Sequence, residues 1–206
     1  MLHALAFRGW SVSMSWTRRA WLRSISVTAL AVAARDLAAH IGTGPVDPLV
    51  AAPDIWVLDS TGQRRRLPEL LRGKATAVQT MFTGCSSVCP LQGAMFGAVQ
   101  EGLDRNSGRR PKRLLSLSID PLGDTPQSMQ EWLRKMNAGP KWAGAIPVSD
   151  ARDVRSALAG SPPDANLDRH TTQVYFFNAA AQLCWRSPSL PEPADVINVL
   201  DHLANT

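Results

Sequence analysis

Cysteine is scarce in this chain, with three among 206 residues. That is too few for a fold stapled by disulfides and too few for a four-thiolate zinc site. Long hydrophobic runs are missing as well. No stretch reaches the roughly 18 apolar residues that read as a membrane span, which excludes a polytopic membrane protein. There are no internal repeats, so a repeat array is excluded too. Charged residues make up 19% of the chain against 45% hydrophobic, the balance of a globular chain and not a disordered one. Acidic residues are absent from positions 1–34, which carry Arg8, Arg18, Arg19 and Arg23. Setting those four aside leaves 18 of the 22 basic residues against 17 acids, so most of the formal charge of +5 belongs to the first segment. The body is nearly neutral and no nucleic-acid partner is expected. Its basic clusters, Arg64-Arg65-Arg66 and Arg109-Arg110 with Lys112-Arg113, stand at turn-like positions and read as solvated edges.

The first segment reads as an address. Thr17-Arg18-Arg19-Ala20-Trp21-Leu22-Arg23 precedes a short apolar run, Ser24 to Ala34, that ends in small residues of the A-x-A kind at Ala31-Val32-Ala33. The run is too short to cross a bilayer, and Arg35-Asp36 closes it. It resembles a twin-arginine export signal, with Trp21 where Phe is usual and Arg23 where Lys is usual. Residues 1–34 are therefore expected to export the chain to the periplasm, and an uncleaved signal would tether it to the inner membrane. The reading leaves the start open between Met1 and Met14, because the signal lies entirely after Met14. Residues 35–53, rich from Ala39 to Pro53 in glycine, proline and small side chains, read as a linker.

The remainder, 54–206, alternates strand and helix patterns. Strands are predicted over Asp54 to Leu58, Ala75 to Phe82, Arg113 to Ile119 and Ala145 to Val148. Val88 to Leu103 predicts a helix with Leu91, Met95, Val99 and Leu103 on its buried face. Asp124-Thr125-Pro126 supplies a cap candidate for a helix reaching about Met136, and Ser149 or Asp150 for one through Leu158. Thr172 to Phe177 and Gln182 to Arg186 predict a hairpin, although Asn178 to Ala181 lacks the expected glycine. Pro193 to Leu203 predicts a closing helix. This order describes an α/β protein with a central mixed sheet and helices on both faces.

Chemistry concentrates at the end of the central strand, in Thr83-Gly84-Cys85-Ser86-Ser87-Val88-Cys89-Pro90. Cysteines at i and i+4 across a helical turn have Cα atoms about 6 Å apart, within disulfide reach. A helix start favours thiolate over thiol, and Pro90 fits an N1-like position there. The spacing supports reversible disulfide formation and equally the presentation of two thiolates to a soft metal. An inert disulfide closing so short a loop would add little stability. Sulfur with imidazole suits Cu(I), and the candidate third ligand is His170, just before the hairpin; His40 and His202 are the other histidines of the body.

Met81-Phe82-Thr83-Gly84-Cys85-Ser86-Ser87-Val88-Cys89-Pro90 resembles the Phe-Thr-x-Cys-x-x-x-Cys-Pro motif of the Sco/SenC family. Leu117 through Pro126 resembles that family's Ser-x-Asp-Pro-x-x-Asp-Thr-Pro segment, and His170-Thr171-Thr172 falls where the family carries its histidine ligand. The resemblance spans about residues 50 to 203 and implies a thioredoxin-like (peroxiredoxin-like) fold. It further implies Cys85, Cys89 and His170 as ligands of Cu(I), and of Cu(II) with an added donor. Asp120 and Asp124 match family acids, Asp124 reading equally as a helix cap and Asp120 as a residue that orients the metal loop or faces a partner. Asn178 to Ala181 replaces the family's Asp-Pro-x-Gly turn.

The function implied is copper delivery during assembly of the dinuclear copper site of cytochrome c oxidase. Its partners would be the copper-receiving oxidase subunit and a thiol reductant or copper donor, with the protein acting as a monomer and without turnover. The rival is a thiol–disulfide oxidoreductase in which Cys85 attacks partner disulfides and Cys89 resolves. A peroxidase of the Pro-x-x-x-Thr-x-x-Cys type is excluded, because neither cysteine has Pro and Thr at those offsets. Cys184, beside Trp185, reads as a buried structural thiol.

Overall fold

A run with no exposed position, Ala75–Met81, forms the centre of the sheet, as its apolar character predicts. The computed structural model describes residues 42–103, 105, 108–148, 151–160 and 170–206. The export signal, the first part of the linker with His40, and the cap candidates Ser149 and Asp150 lie outside the described residues. Among the described residues no helix is long and apolar enough to cross a membrane.

The strands are β1 (Gly44–Ala51), β2 (Trp56–Asp59), β3 (Arg64–Arg66), β4 (Ala75–Met81), β5 (Lys112–Ser118), β6 (Trp142–Pro147), β7 (Val174–Phe177) and β8 (Gln182–Arg186). They make one sheet in the order β1-β8-β7-β4-β5-β6-β2-β3. The core trio β4, β5 and β6 is parallel, and β7 joins β4 antiparallel with Gln79 opposite Val174. The helices are α1 (Leu67–Leu71), α2 (Val88–Gly102), α3 (Pro126–Lys135), α4 (Arg152–Ala159) and α5 (Pro193–Asn205). Phe96 and Val99 of α2, Met129 and Trp132 of α3, and Val196 and Leu200 of α5 share one core with Ala77, Met81 and Leu114. On the opposite side, Leu67 and Leu71 of α1 and Val154 and Leu158 of α4 pack with Val78, Leu115 and Tyr175. The mixed sheet with helices on both faces is thus present as expected.

Three local readings change. Gly44–Ala51, expected as linker, is an edge strand paired with β8, its register broken between Pro45 and Val50. Proline and glycine there suggested a tether, but an edge strand tolerates proline because one row of its N–H groups has no partner strand. Leu91, expected on the buried face of α2, is 60% exposed, while Cys89, Gln92 and Phe96 turn inward with Met95 and Val99. The cap of α3 is Thr125, whose hydroxyl accepts from the Ser128 N–H at 3.1 Å, and not Asp124.

The glycine-free hairpin closes by other means. The Asn178 side-chain oxygen accepts from the N–H groups of Ala180 and Gln182, both at 3.0 Å, and Ala181 takes φ of 60°. At the far edge Arg64 and Arg66 each lie 4.5 Å from the Trp56 ring centroid. That basic cluster covers an exposed tryptophan, in keeping with a solvated edge.

Candidate functional site

β4 ends at Met81, and the chain turns through Phe82 to Ser87 before α2 begins. Cys85 lies on this turn, half-buried, with its N–H donating to the Phe82 carbonyl at 3.1 Å. Cys89 is the second residue of α2 and only 2% exposed. Pro90 is the third, where a helix leaves the N–H without an intrahelical partner in any case. Ser87 precedes α2 but its hydroxyl does not cap the helix; it lies 3.6 Å from the Cys85 sulfur. None of the three cysteines is joined in a disulfide.

The two thiols of the pair have opposite electrostatics. Burial alone would raise Cys85, but hydrogen bonds from the Cys89 thiol and N–H, and from Ser87, outweigh it and bring the group down to about 6. Burial raises Cys89 to about 12, and donating its proton to Cys85 holds it there, with a further push from the charge of Asp124. The helix start thus stabilises one thiolate, at the half-buried position, and backs it with a protonated thiol.

Asp124 is what fixes this turn. Its carboxylate is buried and accepts from the Thr83 N–H at 2.9 Å, the Thr83 hydroxyl at 2.6 Å and the Ser118 hydroxyl at 2.6 Å. It therefore clamps the loop two residues before Cys85 to the end of β5. Asp120 turns on its own loop, accepting from the Gly123 N–H at 3.3 Å. A Cβ at Gly123 would come within 2.6 Å of the Asp120 carboxylate, so only glycine allows that closure. Ser118 and Ser87 are partners that sequence reasoning did not single out; a serine two residues before a motif aspartate carries no signal of burial.

His170 reaches the same turn from far along the chain. The antiparallel pairing of β7 with β4 sets the start of β7 beside the end of β4. The His170 ring stands 6.1 Å from the Phe82 ring, tilted by 56°. The ring itself is exposed. Among the described residues, however, no three His, Cys, Asp or Glu side chains stand close enough to hold a metal ion together. His170 thus stands beside Phe82 on the cysteine turn, and the three expected donors do not converge there. Cys184 is elsewhere, on β8, where its thiol donates to the Phe176 carbonyl at 3.2 Å and burial raises it to about 11.

The SCO1/SenC family pattern matches residues 55–205. The chain belongs to the SCO1/SenC family. A SCO1/SenC family lipoprotein from Bacillus anthracis superimposes with a TM-score of 0.61 at 20% identity, over 78% of this chain and 98% of that one. Yeast Sco1 with copper bound gives 0.61 at 15% identity, over 76% and 94%. Bradyrhizobium japonicum ScoI with copper bound gives 0.57 at 18%, over 75% and 99%. No curated protein matches the sequence. At these identities the superpositions establish the fold, which is thioredoxin-like as the family resemblance implied.

Proposed function

We propose that this SCO1/SenC protein binds copper through Cys85, Cys89 and His170 and delivers it during assembly of the dinuclear copper site of cytochrome c oxidase. The observation that carries the reading is a pair of unbridged cysteines at one strand-to-helix junction, Cys85 on the turn and Cys89 in the first turn of α2, with the His170 ring 6.1 Å from that of Phe82 on the same turn. Two sulfurs and an imidazole suit Cu(I), and copper-bound Sco structures share the fold. Copper is cargo here. Cys85 offers a thiolate at neutral pH, Cys89 gives up its proton on loading, and the exposed imidazole moves in from Phe82 when the ion arrives. Asp124 holds the turn and Asp120 closes its own loop, so neither is needed as a ligand in this reading. The receiver is the copper subunit of the oxidase, and a thiol reductant must keep the pair open for loading. The protein acts in the periplasm, exported by residues 1–34, as a monomer.

A second reading is favoured by the asymmetry of the thiols. An accessible thiolate near 6 backed by a buried thiol near 12 is what disulfide exchange asks of an attacking and a resolving cysteine. His170 separates the two. Anaerobic Cu(I) titration against a competing chelator, run beside a disulfide-reduction assay, tests wild type, His170→Ala and Cys89→Ser. Copper delivery predicts that His170→Ala weakens Cu(I) binding at least tenfold, about 1.4 kcal/mol, and leaves exchange within a few-fold. Unchanged copper binding in His170→Ala, with rapid exchange by wild type, would replace delivery by the oxidoreductase.

A further inference from the structure

A second site lies on the other face of β4. Thr80, Arg155 and Tyr175 line a cavity of about 200 Å³ between the sheet and α4, with Thr171 and Gln173 at its side. Ile119 and Ala159 supply its apolar wall. Two buried polar atoms here have no hydrogen-bond partner, the Thr80 hydroxyl and the Arg155 Nε. Thr80 is only 4% exposed. A buried donor left without a partner is destabilising, and more so when it is charged, so two beside one cavity call for a ligand. Arginine is a donor only and keeps its charge at every relevant pH. No acidic side chain is among the described lining residues, and Arg155 forms no ion pair among the described residues. The Tyr175 phenol is buried, hydrogen-bonded to Thr171, and raised by that burial, so it remains a donor.

From a largely apolar cavity whose described lining residues include the Arg155 guanidinium and the Thr80 hydroxyl and no acid, we propose that it binds a small oxyanion, a phosphate, sulfate or short carboxylate, through Arg155 and Thr80. The volume is several times the roughly 30 Å³ of one water. It falls below the roughly 300 Å³ at which drug-sized ligand pockets begin, so a nucleotide is too large. The guanidinium supplies charge and a directed N–H, as arginine does wherever carboxylate or phosphate is recognised. The site is independent of the copper reading, although Thr171 places it one residue from His170.

The test is thermal unfolding of the metal-free protein in increasing inorganic phosphate, sulfate and acetate, each at constant ionic strength made up with chloride. A saturable rise in melting temperature with at least one probe is expected, and the probe that gives it separates tetrahedral oxyanions from carboxylates. Arg155→Gln is expected to weaken the response at least tenfold. Thr80→Val keeps the shape and removes the unpartnered hydroxyl; it is expected to melt no lower than wild type without anion and to respond more weakly with it. No saturable response to any of the three, or responses in Thr80→Val and Arg155→Gln equal to wild type, would overturn the proposal. Should Arg155→Gln not fold, Thr80→Val decides alone.

Discussion

Cys85 and Cys89 carry the same side chain and titrate far apart because one receives hydrogen bonds at the mouth of the turn and the other gives its proton from inside the core. The Cys85 thiolate fraction therefore rises as pH increases through about 6 and is nearly complete by neutrality. Alkylation of Cys85 by iodoacetamide, followed site by site in the mass spectrum, should climb through about pH 6 and level off above 7. Cys89 and Cys184 should stay slow over that range, since burial raises both. A Cys85 rate still rising tenfold per unit between pH 7 and 8 would mark an ordinary thiol. Asp124 acts on the same turn through geometry. Its removal strips the partner from the Thr83 N–H and hydroxyl and from the Ser118 hydroxyl. Asp124→Ala should lower the unfolding free energy by about 3 kcal/mol, read from urea melts. A loss below about 1 kcal/mol would mean that water replaces the carboxylate without penalty.

Between elements, α5 is tied to the start of β5 by the ion pair of Lys112 with Asp201. The lysine side chain is 4% exposed, so this pair sits where its charges have lost most of their water. Removing only the acid takes the carboxylate from a buried ammonium, and Asp201→Ala should cost about 3 kcal/mol. The double variant Lys112→Met with Asp201→Leu should recover most of that loss, because two apolar groups avoid the desolvation cost altogether. Chemical denaturation of the three variants measures both effects; a double variant no better than the single one would show that the pair stabilises beyond its desolvation cost. The same logic of burial explains Leu91. A four-residue beat drifts around a helix of 3.6 residues per turn, so the first member of the set turned to solvent while Met95 and Val99 stayed inside.

At the scale of the whole molecule, the fold sets the cysteine turn at the end of a fully buried strand and leaves a cavity of different chemistry between the sheet and α4. Delivery of copper to an oxidase also requires the chain to be in the compartment where that subunit is metallated. The arginine pair makes the requirement testable. Arg18→Lys with Arg19→Lys should hold the protein in the cytoplasm, scored by cell fractionation, if the twin-arginine route carries it. Normal periplasmic delivery of the double variant would remove that route and leave export by another.

Sequence alone determined β2 and the order of the elements from β4 to α5, the place of the cysteine motif at a strand-to-helix junction, and Thr125-Pro126 as the start of a helix. These are local properties: apolar period, capping chemistry and fixed spacing act over a few residues and are written in them. Only the tertiary structure decided that Gly44–Ala51 is a sheet edge, because a proline-rich strand is a strand by virtue of its partner β8. The same holds for Asp124, which fits a cap by its position and became a clamp because the fold brings it to Thr83 on the cysteine turn, 41 positions away. The difference between Cys85 and Cys89 is likewise a difference of burial, invisible in two identical letters. His170 stands by Phe82 for the same reason: a pairing of β7 with β4, made by backbone hydrogen bonds between distant segments, set where that side chain would lie.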